Sequence, residues 1–172
     1  MTAAKDARPL VSAGLLIGMG MGGFVDGIVF HQVLQLHNML SARYPTTGVE
    51  AATALVNVEF NMFWDGLFHA FCWIATALGV ALLWRSARNP DAFLTTRVLW
   101  GALALGWGVF NLVEGLIDHE LLGIHHVVEA GPHLPWDLAF LASGALLIGV
   151  GWFLIASRGA GPDVRPDGTA RP

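Results

Sequence analysis

The 172-residue sequence predicts an all-α integral membrane protein, a four-helix bundle built from two tandem helix hairpins. Three observations carry that expectation. Composition is the first: 55% of residues are hydrophobic and only 13% charged, with a mean hydropathy of +0.58. A soluble domain carries about 25% charge, so a wetted surface of that kind is excluded. The second is four apolar segments, each bounded by charge and each about 20 residues long, the length that crosses a bilayer. The third is a run of residues that recurs 88 positions later.

The first span starts at Leu10, after Arg8-Pro9, and runs to about Phe30. The second runs from about Asp65 to Trp84, the third from Val98 to about Ile117, and the fourth from Asp137 to Ser157. All are rich in Leu, Ala and Gly at helical length, without the alternation of an outer-membrane barrel. Span one is not expected to be a cleaved signal peptide, since it is too long, carries Asp26 and ends without a small-residue cleavage site. The expected divisions are a cytoplasmic N-terminus at 1–9, hairpins at 10–88 and 89–158, and a polar, disordered tail at 159–172.

Basic residues set the orientation. Lys5 and Arg8 precede span one, Arg85, Arg88 and Arg97 flank the middle loop, and Arg158, Arg165 and Arg171 follow span four. The other two loops hold only Arg43. The positive-inside rule then puts both termini in the cytoplasm, with Trp64 and Trp136 at the outer boundary and Trp84, Trp100 and Trp152 towards the inner one.

A net charge of −4 with only 9 Lys and Arg argues against nucleic acid as a partner. Cys72 is the single cysteine, which excludes a disulfide scaffold. There is no G-x-S-x-G elbow, no phosphate-cradling loop and no C-x-x-C-H haem attachment. Non-covalent haem b stays open, because paired membrane histidines can be axial ligands.

The recurring run begins Val25-Asp26-Gly27 and carries His31 and His37; 88 positions on, Val113-Glu114-Gly115 leads to His119 and His125. A weaker echo links Trp64-Asp65 with Trp136-Asp137. The pattern reads as a duplicated hairpin whose two copies enter the membrane in the same direction, a parallel repeat.

Counting about 20 residues from each cytoplasmic boundary puts His31, Asp65, His119 and Asp137 near one plane at the outer edge of the core. Asp26, Glu114 and His69 fall about one turn deeper. Ionisable groups in spans are costly and therefore functional candidates. Asn61, Asp65 and His69 follow at i, i+4, i+8 and share one helix face, so Asp65 and His69 could chelate an ion. On an α-helix Asp26 lies about 140° from His31 but about 20° from His37, and span three repeats this with Glu114, His119 and His125. The leading expected ligands are therefore His31, Asp65, His69 and His119, with Asp26, Glu114, Asp137, His37 and His125 supporting them or holding a further ion. Imidazole with carboxylate suits copper(II), zinc, iron or manganese. Met19, Met21, Met39 and Met62 could add thioethers for copper(I), although ordinary packing gives the same spacing. His133 and Glu129 read as solvated loop residues, and Glu59 as a residue at the start of helix two. Gly14, Gly18 and Gly22 form a small-residue face suited to close helix packing, and a homodimer contact through it is one expectation.

The run GFVDGIVFHQVLQLHNMLS, with the later NxFWDGLFHA and EGxxDHxxLGIHHV segments, resembles a family of predicted bacterial four-helix integral membrane proteins, a domain of unknown function. The resemblance spans Leu10 to Arg158. It implies a bacterial inner membrane, with the lipid bilayer and a respiratory-oxidase or copper-handling membrane protein as partners, and it tilts the expected metal towards copper. The sequence then supports a protein holding or transferring a transition metal at a His/Asp site near the extracytoplasmic face. A di-metal membrane oxidoreductase, a haem-binding bundle and a purely structural subunit are the alternatives.

Overall fold

With no water in the hydrocarbon core, a spanning segment must satisfy its own backbone hydrogen bonds, and the helix does so locally. The computed structural model describes residues 6–157; these include four helices long and apolar enough to cross a membrane, and no strand. The expected tail at 159–172 lies outside the described residues. Helix α1 (Arg8–Phe24) continues as a π-helix over Val25–Val33. Helix α2 spans Ala51–Ala87, and α3 (Thr96–Glu114) again runs into a π-helix, Gly115–Leu121, before α4 (Leu134–Ala156). Proline opens α1 and α4 in the first turn, where its missing N–H costs nothing, and the Thr95 hydroxyl caps α3 by accepting from Val98 N–H at 3.2 Å.

One boundary differs from expectation. Helix α2 begins fourteen residues before Asp65, and at 37 residues it is about 55 Å long, well beyond the roughly 30 Å of a bilayer core. Ending the span at the charge of Asp65 misses an extension that is itself mostly apolar, with Thr53, Asn57, Glu59 and Asn61 as its polar residues. The extra turns hold the α1–α2 loop: Asn57 and Asn61 donate to the Pro45 and Tyr44 carbonyls at 2.7 and 2.9 Å. Glu59 is consequently an exposed residue inside the helix, not at its start.

Helices α1 and α3 form the centre, with α2 packed on α1 and α4 on α3. Glycines set the close approach. A methyl group at Gly18 would overlap the Leu103 carbonyl, and one at Gly106 would overlap the Leu15 carbonyl, two contacts that differ by 88 at both ends. Gly14 and Gly22 also face α3, while Gly20 and Gly23 face α2. The small-residue face is therefore consumed within the bundle and does not supply the expected homodimer contact. Large apolar side chains on α2 and α4, among them Leu55, Trp73, Leu146 and Trp152, point outward instead.

At one end of the bundle Asp6 pairs through its backbone with Asp91 and Phe93 of the α2–α3 loop. At the other end the α1–α2 and α3–α4 loops meet, with Ala42 N–H donating to the Ile124 carbonyl at 3.0 Å and Glu129 N–H to Leu36 at 3.3 Å. Both π-helices leave by the same route: Leu34 N–H bonds Val29 and Leu122 N–H bonds Ile117, each at 2.8 Å. The next residues, Gln35 and Gly123, take φ of 52° and 54°.

Replacing Gly106 by Ala should lower the thermal midpoint in detergent, by the equivalent of about 1–3 kcal/mol of overpacking. Gly149 faces open space, so Gly149→Ala should leave the midpoint unchanged or raise it. Equal effects of the two substitutions would contradict the packing described.

Candidate metal centre

Residues five apart cannot share a face of an α-helix, and on that ground Asp26 was expected to point away from His31. The structure overturns this. An i→i−5 bond adds a residue to each turn, so the π-helix stacks Asp26 on His31. Asp26 Oδ2 lies 3.0 Å from His31 Nε2, with both side chains buried. The same turn in the second half carries Glu114 to His119, and their ligand atoms, with one from His125, lie within 4.8 Å of one another.

The loops supply the other two imidazoles by crossing. His37 donates from Nδ1 to the carbonyl of Val127, in the opposite loop, at 3.0 Å; His125 donates to the carbonyl of Met39 at 2.9 Å. Each loop thus fixes the other's histidine. His37 Nε2 then lies 3.7 Å from Asp26 Oδ1, and His125 Nε2 lies 3.7 Å from Glu114 Oε1. The His37 and His125 rings stack in parallel with centroids 4.8 Å apart. His31 completes a second converging group with His37 and His125.

Asp65 and Asp137 sit behind this ring of ligands. Asp65 accepts from His31 Nδ1 at 3.0 Å, and also from Met39 N–H, Gln32 and Asn38. Asp137 lies 3.3 Å from His119 Nδ1 and accepts from Val127 N–H at 3.0 Å. A carboxylate on the far nitrogen of an imidazole fixes its tautomer and turns Nε2 inward. The expected pairing of Asp65 with His69 does not occur: Asp65 is committed to His31 and the loop. His69 stacks on Phe24 and packs its Nε2 against Gly27, joining none of the converging groups among the described residues. Its counterpart in the second half, against Gly115, is Leu141.

Met21 and Met62 are exposed, and Met39 contributes its backbone, donating to Asp65 and accepting from His125. Two residues read as solvated or passed over do converge elsewhere: His126, His133 and Asp137 form a third group nearer the surface. The signal was present, since His126 aligns with Asn38, which also bonds the hairpin's Asp.

What marks the centre is its unmet hydrogen bonding. Both oxygens of Asp26 and of Glu114, both ring nitrogens of His119, and Nε2 of His31, His37 and His125 are buried with no hydrogen-bond partner. The close Asp26–His31 approach is an ion-pair distance without hydrogen-bond alignment. Burial holds the loop imidazole of His125 well below the ordinary histidine value, and the neighbouring His37 and His119 push in the same direction. A neutral imidazole with a free Nε2 lone pair is the form that ligates metal. These buried His/carboxylate clusters could hold a metal ion.

Comparison with known proteins gives a family and little else. A family model described as "Predicted membrane protein (DUF2243)" matches residues 13–158. No curated protein and no solved structure matches the chain.

Unfolding should take up a proton at His125 below about pH 6.5, because the unfolded imidazole titrates there and the folded one only well below. Chelator-treated protein should therefore lose stability as pH falls from about 7 to 5, by up to about 1.4 kcal/mol per pH unit from this residue. Thermal melts across that range should show a shallower slope for His125→Gln than for wild type. Equal slopes would contradict a neutral buried His125.

Proposed function

The chain belongs to this family of predicted membrane proteins, and from that premise we propose that it holds a resident pair of first-row transition-metal ions. The pair sits within the membrane, near the face that the basic residues mark as extracytoplasmic. His31, His37 and Asp26 hold one ion, and His119, His125 and Glu114 hold the other. The observation that carries this reading is the convergence of buried, unpartnered imidazole nitrogens and carboxylate oxygens, with His31, His37 and His125 hydrogen-bonded from behind and His119 Nδ1 3.3 Å from Asp137. Leaving such groups unsatisfied costs about 1–3 kcal/mol each, more when charged, and bound cations offset that cost. A purely structural subunit has no use for it.

Two imidazoles and one carboxylate per ion, with no sulfur, suit iron(II), manganese, zinc or copper(II). Copper, favoured by the resemblance, fits this set as copper(II), not as the thioether-bound copper(I). Complete burial of His31, His37, His119 and His125 suits retention better than hand-over to a partner. A haem would have to part rings that now lie close together, with centroids 4.5–6.3 Å apart for His31–His37, His37–His119, His37–His125 and His119–His125.

Elemental analysis of untagged, detergent-purified protein should give at least two ions per chain. His37→Ala and His125→Ala should each remove at least one. Folded wild-type protein that contains no metal and takes none up would sink the proposal.

A second reading, turnover at the centre, is favoured by one observation. A polar cavity of about 380 Å³ reaches His31 between Gln32, Gln35, Asn38 and Asn61. Ions held by two imidazoles and a carboxylate keep positions open for an exogenous ligand. Azide added to copper(II)-loaded protein should then alter its absorption spectrum. An unchanged spectrum would mark a coordinatively closed centre and count against an enzyme.

A further inference from the structure

We propose that the second hairpin carries an additional, outer metal site, made by His126, His133 and Asp137, for a single divalent ion of the zinc or copper(II) class. Ligand atoms from these three residues lie within 4.8 Å of one another. His126 Nδ1 and Asp137 Oδ2 are 2.8 Å apart, a hydrogen-bond separation that needs to open by only about 0.6 Å for both to ligate one tetrahedral ion at about 2.0–2.2 Å. The ion would take the place of the proton that now joins them. The imidazole of His133 lies over that of His126, with centroids 3.8 Å apart and planes 20° from parallel, and because this ring is exposed it is free to tilt its in-plane nitrogen lone pair onto an ion held by His126 and Asp137.

The first hairpin shows what the same place looks like without a site. There the outer oxygen of Asp65 is closed by two amides, Asn38 at 3.0 Å and Gln32 at 3.1 Å, which donate hydrogen bonds and offer no imidazole. His126 stands 88 positions after Asn38. Asp137 is fully buried and fixed from the inner side by Val127 N–H and His119, so its Oδ2 is presented at a defined position. His126 is itself tied down by its backbone N–H on Glu129, at 3.1 Å. Pre-positioned carboxylate, oriented imidazole and exposed His133 together describe a three-ligand site open to solvent, in which water completes the shell. The site stands apart from the buried pair and shares with it only Asp137.

Zinc titration of untagged protein in nanodiscs, followed by calorimetry, tests this. Wild type should bind one zinc equivalent more than His133→Ala, a substitution at an exposed ring that leaves the core untouched. His126→Ala, checked for folding by its thermal melt, should lose the same equivalent. The difference of one is expected whether or not the buried centre fills, and a failure of the buried pair would appear instead as a deficit common to all three proteins. Identical zinc stoichiometry and affinity in wild type and His133→Ala would overturn the outer site.

Discussion

An i→i−5 hydrogen bond brings residues five apart onto one side of a helix, and the ends of α1 and α3 are built on that bond. It sets Asp26 against His31 and brings Glu114 to His119. An α-helical ending would turn each carboxylate about 140° from its histidine and leave it facing lipid or a neighbouring helix. The same widened turns end with Gln35 and Gly123 in left-handed backbone, which redirects the chain so that His37 and His125 fold back over the centre. Only glycine takes that conformation without strain, so the first half, with Gln35, adopts it at some local cost. π-helical turns are uncommon and recur at functional sites, which accords with where they sit here.

Layers of restraint then build outward from the turns. Nδ1 of His31 and of His119 faces a carboxylate on the flanking helix, Asp65 on α2 and Asp137 on α4. Nδ1 of His37 and of His125 is held by a carbonyl from the opposite loop. Neither hairpin could orient its own loop histidine alone. The glycine-lined contact of α1 with α3 serves the same end, since it brings the two carboxylate-bearing helices close enough to share one centre. Several contacts recur at an offset of 88, including Gly18–Leu103 with Gly106–Leu15 and His37–Val127 with His125–Met39. A duplicated hairpin accounts for that offset economically.

Much of this was legible in the residues. Charge scarcity and four apolar segments fix the membrane class and the helix count, because a spanning helix must be long and apolar whatever its neighbours do. Nearly all of the polar residues that converge were singled out by depth. Their grouping was not, because face assignment at about 100° per residue assumes α-helix throughout. The clue lay in the repeat itself: Asp/Glu-Gly-x3-His occurs twice with the same interval of five, which makes little sense on an α-helix. Asp65 with His69 failed for the opposite reason. Their spacing suits α-helix, but tertiary contacts from His31 and Met39 claim the carboxylate first. His133 carries no periodic signal in its loop, and only the fold stacks it on His126.

The central claim is that two ions occupy one buried centre shared by both hairpins. Anomalous diffraction from crystals of the metal-loaded protein, recorded at the absorption edge of the metal found, addresses it directly. The account predicts two buried peaks, one between Asp26, His31 and His37 and the other between Glu114, His119 and His125, about 3.5–4 Å apart as in paired-metal sites. Well-ordered side chains around this centre with no anomalous peak among them, or a single peak on one hairpin alone, would contradict it.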